Sequence, residues 1–187
     1  MWRFRPPETY KIQIQACASN TQLDQVVWMT QVIVVYDSRT GNTEKMAMAV
    51  AEGAKQVPGV KVVLKNVDKA SMGDLLSADG IIIGTPTYYG DMSGKLKEFV
   101  DKSFKIHGKL KGKAGGAFTS SGGTACGAET ALLSILHSML IHGMIVQGRF
   151  EDKHYGATAV EAPNETEIES CTELGKRIAN LATKIKG

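Results

Sequence analysis

The stretch Val32-Ile-Val-Val-Tyr-Asp-Ser-Arg-Thr-Gly-Asn-Thr43 decides the fold of this 187-residue chain. Residues 32–36 are apolar and mostly β-branched, a composition typical of a fully buried parallel strand. A polar loop with one glycine follows, and then a helical pattern begins, with Met46, Val50 and Ala54 on one face. The first N–H groups of a helix lack partners and carry partial positive charge, so this strand–loop–helix unit predicts an anion site.

The composition of the loop narrows the anion to one phosphate. Loops that bind nucleoside triphosphates need G-x-x-x-x-G-K-[ST], and dinucleotide-binding loops need three spaced glycines, whereas this loop has only Gly41. Hydroxyl and amide donors surround that glycine, and a charge-assisted hydrogen bond contributes roughly 1.5–3 kcal/mol. The alternative is a tight turn with a capping Asn or Thr. The predicted monophosphate site consists of Ser38, Arg39, Thr40, Gly41, Asn42 and Thr43.

The composition is that of an ordinary globular protein, with 43% hydrophobic and 22% charged residues, and its length predicts one domain. The net charge is +3 and the basic residues read as dispersed, so we expect neither nucleic acid nor a membrane surface as partner. No apolar run approaches the ~20 residues of a membrane span. The three cysteines and four histidines show no metal or redox spacing, which suits a reducing cytoplasm.

Residues 1–28 differ from the rest of the chain. They show no sustained periodicity and lack the apolar segment of a signal peptide. Met29 lies directly before the first predicted strand, where a natural start would lie. We therefore interpret residues 1–28 as an extension that is disordered or not native, and residues 29–187 as the single domain.

Strands and helices alternate from Met29 onward. Lysines alternate with Val and Leu in the second strand, which indicates a sheet edge with one wetter face. The alternation predicts an α/β fold, a doubly wound five-stranded parallel sheet of order 2-1-3-4-5 with helices on both faces. The predicted strands are 31–36, 60–67, 79–84, 113–119 and 144–147, with an extension in 154–160. The predicted helices are 43–57, 93–105, 127–142 and 164–184, with a short segment at 71–77.

Ligands of such sheets bind at the carboxyl ends of the strands beside the first strand, which selects the loops after strands one, three and four. The loop after strand three has a stiff proline and two tyrosines with flat apolar faces. The loop after strand four has almost no side-chain bulk, so its backbone can approach a planar ring. Together the three loops predict a site for a phosphorylated planar heterocycle. Its residues beyond the phosphate loop are Pro86, Thr87, Tyr88, Tyr89, Gly90, Ser120, Ser121, Gly122, Gly123, Thr124 and Ala125.

These segments resemble those of the flavodoxin-like FMN proteins. Ser38-Arg-Thr-Gly-Asn-Thr43 resembles the flavodoxin T/S-x-T-G-x-T phosphate loop. Residues 84–94 resemble the G-T-P-T-[RY]-[FY]-G-x-M-x-G segment of the tryptophan-repressor-binding-protein family, which includes NAD(P)H:quinone oxidoreductases. Residues 118–127 and the turn Ile141-His-Gly-Met144 are similar to further segments of that family. The resemblance covers about residues 32–186.

The resemblance implies FMN as cofactor, with its phosphate on residues 38–43 and its ring between residues 87–89 and the backbone of 120–125. It also implies NAD(P)H as electron donor, a quinone or a redox protein as partner, and a homo-oligomer. A longer insertion between strands two and three and a ring-contacting Trp, found in the family, are absent here. His142 is the candidate substitute for a flavin-contacting histidine. No catalytic side chain and no metal are required.

Two redox roles stay open. Typical flavodoxins are strongly acidic, which lowers the potential of the reduced flavin, and the net charge of +3 weakens this effect. The charge therefore favours two-electron, NAD(P)H-dependent reduction of quinones or similar acceptors. The alternative is a flavodoxin-type carrier that passes electrons between redox proteins without a substrate of its own. A phosphoacceptor receiver is rejected, because Gly84-Thr85 stands where its Asp would be, and no G-x-S-x-G supports a hydrolase.

Overall fold

A computed structural model describes residues 29–187 of the chain, so the interpretation of residues 1–28 lies outside the described residues. Strands and helices alternate along the described part. The elements are β1 Thr30–Tyr36, α1 Asn42–Lys55, β2 Val60–Asn66, α2 Met72–Ser77, β3 Gly80–Pro86, α3 Gly94–Lys102, a 3₁₀ turn Ser103–Ile106, β4 Ala114–Ser121, α4 Ala128–Ile141, β5 Ile145–Val146, β6 Ala157–Val160 and α5 Glu165–Lys186.

The strands form one parallel sheet of order β2-β1-β3-β4-β5, which confirms the predicted doubly wound fold. β3 and β4 are buried along their whole length and β1 along nearly all of it, as their apolar runs predict. β2 lies at the sheet edge and stays half-buried, as its alternating lysines predict. The carboxyl ends of β1, β3 and β4 therefore meet at one edge of the sheet.

The fifth position of the sheet holds two short strands rather than one. β5 pairs with the beginning of β4, where Ile145 lies beside Ala114, and β6 pairs with its end, where Ala157 lies beside Phe118. Residues 147–156 leave the sheet between them. The structure thus agrees with the predicted strand at 144–147 and with its predicted extension in 154–160, and the extension forms a separate short strand, β6. Gly156 makes the return possible, because a Cβ there would lie 2.1 Å from the Ala117 carbonyl oxygen.

Two apolar layers enclose the sheet. One contains side chains of α1 and α5, and the other contains those of α3 and α4. α1 and α5 touch backbone to backbone, since a Cβ at Gly53 would lie 1.9 Å from the Thr172 carbonyl oxygen. A capping box of Asn164 and Glu167 begins α5. No helix within residues 29–187 combines the length and the apolar composition needed to cross a bilayer.

Candidate functional site

Three loops converge at the carboxyl ends of β1, β3 and β4, and we call them the first loop (37–41), the second loop (87–93) and the third loop (122–127). Hydrogen bonds beneath the loops hold them in place. The hydroxyl groups of Thr43 and Ser120 are 2.8 Å apart, and those of Thr87 and Thr119 are 2.9 Å apart. The Thr87 N–H also donates to the Ser120 carbonyl at 2.7 Å. The structure thus brings together the three segments that the sequence singles out.

The first loop presents unpaired backbone donors at the positive end of α1. Gly41 has φ +89° and precedes the helix, and the Ser38 hydroxyl oxygen accepts from the N–H groups of Gly41 and Glu44 at 3.2 Å each. Within the described part of the chain, no acceptor lies within bonding distance of the N–H groups of Thr40, Asn42 and Thr43. A Cβ at Gly41 would find no atom within 4 Å. This open cradle of free donors fits a phosphate group.

The structure changes how the side chains of the first loop contribute. The sequence predicts hydroxyl donors at Ser38, Thr40 and Thr43, but Thr43 is only 2% exposed and its hydroxyl bonds to Ser120. Thr43 therefore ties the first loop to β4, and its backbone N–H faces the cradle as a helix-terminal donor. Ser38 uses its oxygen to shape the turn, which leaves its hydroxyl proton as a donor. Most of the donors available to an anion are thus backbone N–H groups rather than the predicted side-chain hydroxyl groups.

The second loop is a tight hairpin that carries a fully exposed aromatic ring. Tyr88 and Asp91 exchange two backbone hydrogen bonds of 3.0 Å, and Tyr89 and Gly90 between them have φ +49° and +77°. Two consecutive positive φ values define a type I′ turn, and a tyrosine in this conformation is strained. The Asp91 carboxylate accepts from the Met92 N–H at 2.6 Å and fixes the turn. Tyr89 lies at the tip of this turn, and its side chain is fully exposed.

A cation–π contact joins the first and second loops. The Arg39 guanidinium carbon lies 5.9 Å from the centre of the Tyr88 ring. Such contacts contribute about 0.5–1 kcal/mol at exposed sites. Arg39 and Tyr88 thus form one wall of the space above the strand ends.

The third loop presents backbone peptide groups, rather than large side chains, to the space above the strand ends. Gly127, with φ +86°, precedes α4 and packs against the second loop, because a Cβ there would lie 2.5 Å from the Gly90 Cα. The Thr130 hydroxyl bonds to the carbonyls of both glycines. The sequence analysis missed Thr130, and no local signal points to it, because its partner Gly90 lies 40 residues away in the sequence. The exposed stretch Gly122, Thr124 and Ala125 leaves its peptide groups open to a ligand.

The structure places His142 away from the three loops. His142 follows the last residue of α4, a helix of 14 residues that spans about 20 Å from the third loop to the amino end of β5. Its Nε2 lies 2.7 Å from the Ser103 hydroxyl oxygen, and its ring centre lies 5.6 Å from that of His107. Burial and then the nearby His107 lower the pKa of His142. Within one chain His142 therefore lies away from the three loops, and its contact with the ligand stays a prediction.

Burial raises the pKa of two side chains, Tyr36 at the end of β1 and Cys171 in α5. The Tyr36 hydroxyl donates to Glu44 at 2.6 Å, and burial together with that carboxylate raises the pKa of Tyr36 to about 12. Cys126 in the third loop is exposed, whereas burial raises the pKa of the Cys171 thiol to about 12. Across residues 29–187 there is no group of three or more His, Cys, Asp or Glu that could hold a metal ion.

The sheet order and the loops at its carboxyl edge define a flavodoxin-like α/β protein. The family model described as Flavodoxin matches residues 34–173, so the chain belongs to the flavodoxin family. Membership of this family implies flavin binding.

Relatives named flavodoxin and relatives named NAD(P)H dehydrogenase (quinone) are both similar to this chain in sequence. A flavodoxin from Aquifex aeolicus is 44% identical over 159 residues, covering 81% of this chain and 86% of the relative. An NAD(P)H dehydrogenase (quinone) from Methylocella silvestris is 34% identical, covering 85% of this chain and all of the relative. The crystal structure of the flavodoxin, WrbA-like protein from Agrobacterium tumefaciens is 30% identical and superposes with a TM-score of 0.73, covering 83% of this chain and 98% of that protein.

Proposed function

We propose that this protein binds FMN at the three loops and uses NAD(P)H to reduce quinones or similar acceptors by two electrons. The observation that carries the proposal is the first loop, whose free N–H groups and open glycine fit a single phosphate. FMN joins one phosphate to a planar heterocycle, which matches the cradle and the flat walls beside it. Bound FMN would supply the redox chemistry, and the protein would set its position and access.

Each loop would hold a different part of the cofactor. The phosphate would accept hydrogen bonds from the backbone of Thr40, Asn42 and Thr43 and from the Ser38 hydroxyl. The ring would lie between the tyrosines of the second loop and the peptide groups of the third loop. Arg39 already lies over Tyr88 and would close the phosphate end of the site.

The third loop supports direct reaction with a small substrate. From Ser120 to Gly127 no side chain is larger than threonine or cysteine, and none is aromatic. A planar cofactor against this loop would therefore lack an aromatic cover on that side, which leaves room for a nicotinamide or a quinone to stack. The hydride would come from the donor nucleotide, and the one further proton that converts a quinone to a hydroquinone would come from solvent at this exposed loop, so no side-chain acid is required.

Reconstitution with FMN tests this proposal. Visible absorbance should report one FMN for each chain, and NADH or NADPH should bleach it anaerobically, followed by turnover with benzoquinone. Ser103→Ala, which alters only the amino end of the sheet, serves as a control and should turn over as the parent does. Absence of FMN binding would contradict the proposal altogether. Binding without reduction by either nucleotide would exclude the enzyme and leave the carrier.

One observation favours the carrier as a second candidate. The alignment with the quinone dehydrogenase from Methylocella silvestris runs over 200 residues although 85% of this chain takes part, so that relative has tens of residues without a counterpart here. The alignment with the Aquifex aeolicus flavodoxin runs over 159 residues with 81% of the chain and needs few gaps. The link between β2 and β3 is correspondingly short and contains only α2. A carrier would pass electrons from chemically reduced FMN to a redox protein without oxidising NAD(P)H.

A further inference from the structure

Asp37, the first residue of the first loop, carries a buried carboxylate that has no partner among residues 29–187. The residue is only 5% exposed, and aspartate is rarely buried to this degree unless it is paired. Its carboxylate takes part in no hydrogen bond and no ion pair within the described part of the chain. Because a buried charge without a donor costs free energy, its presence here requires an explanation.

The oxygen atoms of this carboxylate are accessible although the residue is buried. The unpaired side-chain atoms of residues 29–187 that have no contact with solvent belong to His142 and Arg177, and none belongs to Asp37. Each carboxylate oxygen of Asp37 therefore keeps a small area open, while the rest of the residue is enclosed. A hydrogen-bond donor from solvent or from a ligand can reach the carboxylate there.

One cation lies near Asp37 but pairs with a different carboxylate. The Lys95 ammonium, at the beginning of α3, bonds to Asp68 at 2.9 Å, and both side chains are largely in solvent. Asp68, and to a smaller extent Asp37, raise the pKa of Lys95. An internal ion pair therefore does not explain why Asp37 is buried. A metal ion does not explain it either, because residues 29–187 contain no group of three or more His, Cys, Asp or Glu that could hold one.

Asp37 lies at the edge of the sheet where the candidate ligand site is. It directly follows β1, and its backbone N–H donates to the Gly84 carbonyl of β3 at 3.1 Å. The free N–H groups of the phosphate cradle begin a few residues further along the same loop, at Thr40. An exposed acceptor thus lies in one loop with a group of free donors. A ligand that satisfies both has a phosphate and, within a few atoms of it, hydroxyl groups.

We propose that Asp37 accepts hydrogen bonds from the hydroxyl groups of a polyol chain that joins the phosphate of the ligand to its planar ring. The inference rests on the proposed function, since FMN carries such a chain, ribityl, directly beside its phosphate. Hydrogen bonds to an ionised carboxylate are shorter and about twice as strong as neutral ones. Asp37 would therefore stabilise the complex, whereas in the ligand-free protein its burial costs stability.

Two other roles of Asp37 lead to different expectations. A carboxylate that only supported the fold would stabilise the ligand-free protein, so its loss would lower the resistance of that protein to urea. A carboxylate that only repelled the phosphate would weaken the binding of every phosphate-bearing ligand, so its loss would tighten that binding. Neither role predicts a contact with the polyol chain.

Asp37→Asn tests the proposal, because it keeps the shape of the side chain and removes its charge. Asp101→Asn makes the same change at an exposed position of α3 and serves as the control. FMN, riboflavin and inorganic phosphate are the three probes: riboflavin has the polyol chain without the phosphate, and inorganic phosphate has neither chain nor ring. Fluorescence quenching gives the flavin affinities, and the shift of the urea midpoint of the ligand-free protein gives the affinity for phosphate.

We expect Asp37→Asn to weaken the binding of FMN and of riboflavin by the same factor, about five- to tenfold. Its affinity for inorganic phosphate should stay within about twofold of that of the parent, and its urea midpoint without ligand should not fall. Asp101→Asn should change each flavin affinity by less than about twofold.

Flavin affinities in Asp37→Asn that stayed within about twofold of the parent would overturn this inference and leave the proposed function intact. A loss for FMN alone would overturn it too, as would tighter binding of FMN or a lower urea midpoint without ligand. A parent protein that bound neither flavin would contradict the proposed function itself, and the polyol contact with it.

Discussion

The carboxyl ends of the strands, which we call the carboxyl edge, and their amino ends, which we call the amino edge, differ in how far their polar groups are paired. At the carboxyl edge the first loop leaves N–H groups unpaired, and the second loop keeps Tyr89 in a strained conformation. At the amino edge several polar groups are paired, although the buried His142 Nδ1 has no partner among residues 29–187: Asp79 accepts from the Gln31 N–H and from Lys186, and Lys113 donates to carbonyl groups at the end of α2. The carboxyl edge can therefore gain contacts from a ligand, whereas the amino edge forms most of its contacts within the protein.

This difference has a thermodynamic reason. The N–H groups of the first loop are open to solvent and can exchange solvent for a ligand, whereas the positive φ of Tyr89 costs free energy in the ligand-free protein and persists because the surrounding structure fixes it. The Thr43–Ser120 and Thr87–Thr119 hydrogen bonds provide that support below the loops. We therefore expect changes at the carboxyl edge to alter ligand affinity, and changes at the amino edge to alter stability alone.

Ser38→Ala should cause the largest change in FMN affinity. It removes the oxygen that accepts from the N–H groups of Gly41 and Glu44 and also removes a hydroxyl donor. We expect the FMN dissociation constant to rise about 10- to 100-fold, measured by quenching of flavin fluorescence on titration of the apoprotein. Ser103→Ala, at the other edge, should change it less than about twofold. Equal losses in the two variants would remove the distinction between the edges.

Asp79→Ala should show the reverse pattern, a loss of stability without a loss of FMN affinity. The Asp79 carboxylate accepts from the Gln31 N–H at 2.8 Å and from the Lys186 ammonium at 2.7 Å, and so fastens the end of α5 to the beginning of β1. We expect the free energy of unfolding in urea to fall by about 2 kcal/mol, because a charged acceptor is lost. FMN affinity should stay as in the parent.

Asp68→Ala provides the matched control for Asp79→Ala. Asp68 also pairs with a lysine, at 2.9 Å, but both side chains are largely in solvent, so we expect a much smaller loss of stability than in Asp79→Ala. A large loss of FMN affinity in Asp79→Ala would show that the amino edge is coupled to the candidate site.

The sequence predicts the carboxyl edge better than the amino edge, and the reason is the range of the signals. The strand, loop and helix around Gly41 are contiguous, and their periods predict β1 and α1 within two residues of their bounds. The sheet order follows from the count of strand–helix units, since crossovers in parallel sheets obey one handedness. These features need no knowledge of distant contacts.

Features set by long-range contacts escaped prediction. The sequence predicts the segments 144–147 and 154–160 but not which parts of β4 they pair with, and the role of Thr43 depends on Ser120, 77 residues away. His142 resembles a ligand-contacting residue by local sequence, but the length of α4 carries it to the far edge. Local motifs identify loops, whereas only the fold decides which residues lie near them.

The pH dependence of stability offers a smaller test of the amino edge. Burial and then His107 lower the pKa of His142, so the folded protein holds this imidazole neutral where the unfolded chain binds a proton. Because the folded pKa is depressed, the stability from this group is present above the unfolded value of about 6.5 and is lost as pH falls below it. Urea unfolding between about pH 7 and pH 5 should show this loss in the parent and less of it in His142→Gln.

His137→Gln serves as the control, since His137 is exposed and should leave the profile unchanged. An unchanged profile in His142→Gln would show that the Ser103–His142 contact does not distinguish the protonation states. FMN affinity at about pH 7 should be the same in all three proteins.

Thiol labelling of Cys126 should give the smallest effect, and it tests whether the ligand binds against the third loop. Cys126 is exposed, whereas burial raises the pKa of Cys171 to about 12 and should keep it unreactive until the chain unfolds. Cys17→Ser removes the remaining thiol, so labelling then reports on Cys126 alone. FMN held against the third loop should slow that labelling several-fold, followed with a chromogenic disulfide reagent. If saturating FMN left the rate unchanged while binding was intact, the ring would not lie against this loop, and the carboxyl edge would bind its ligand through the first two loops only.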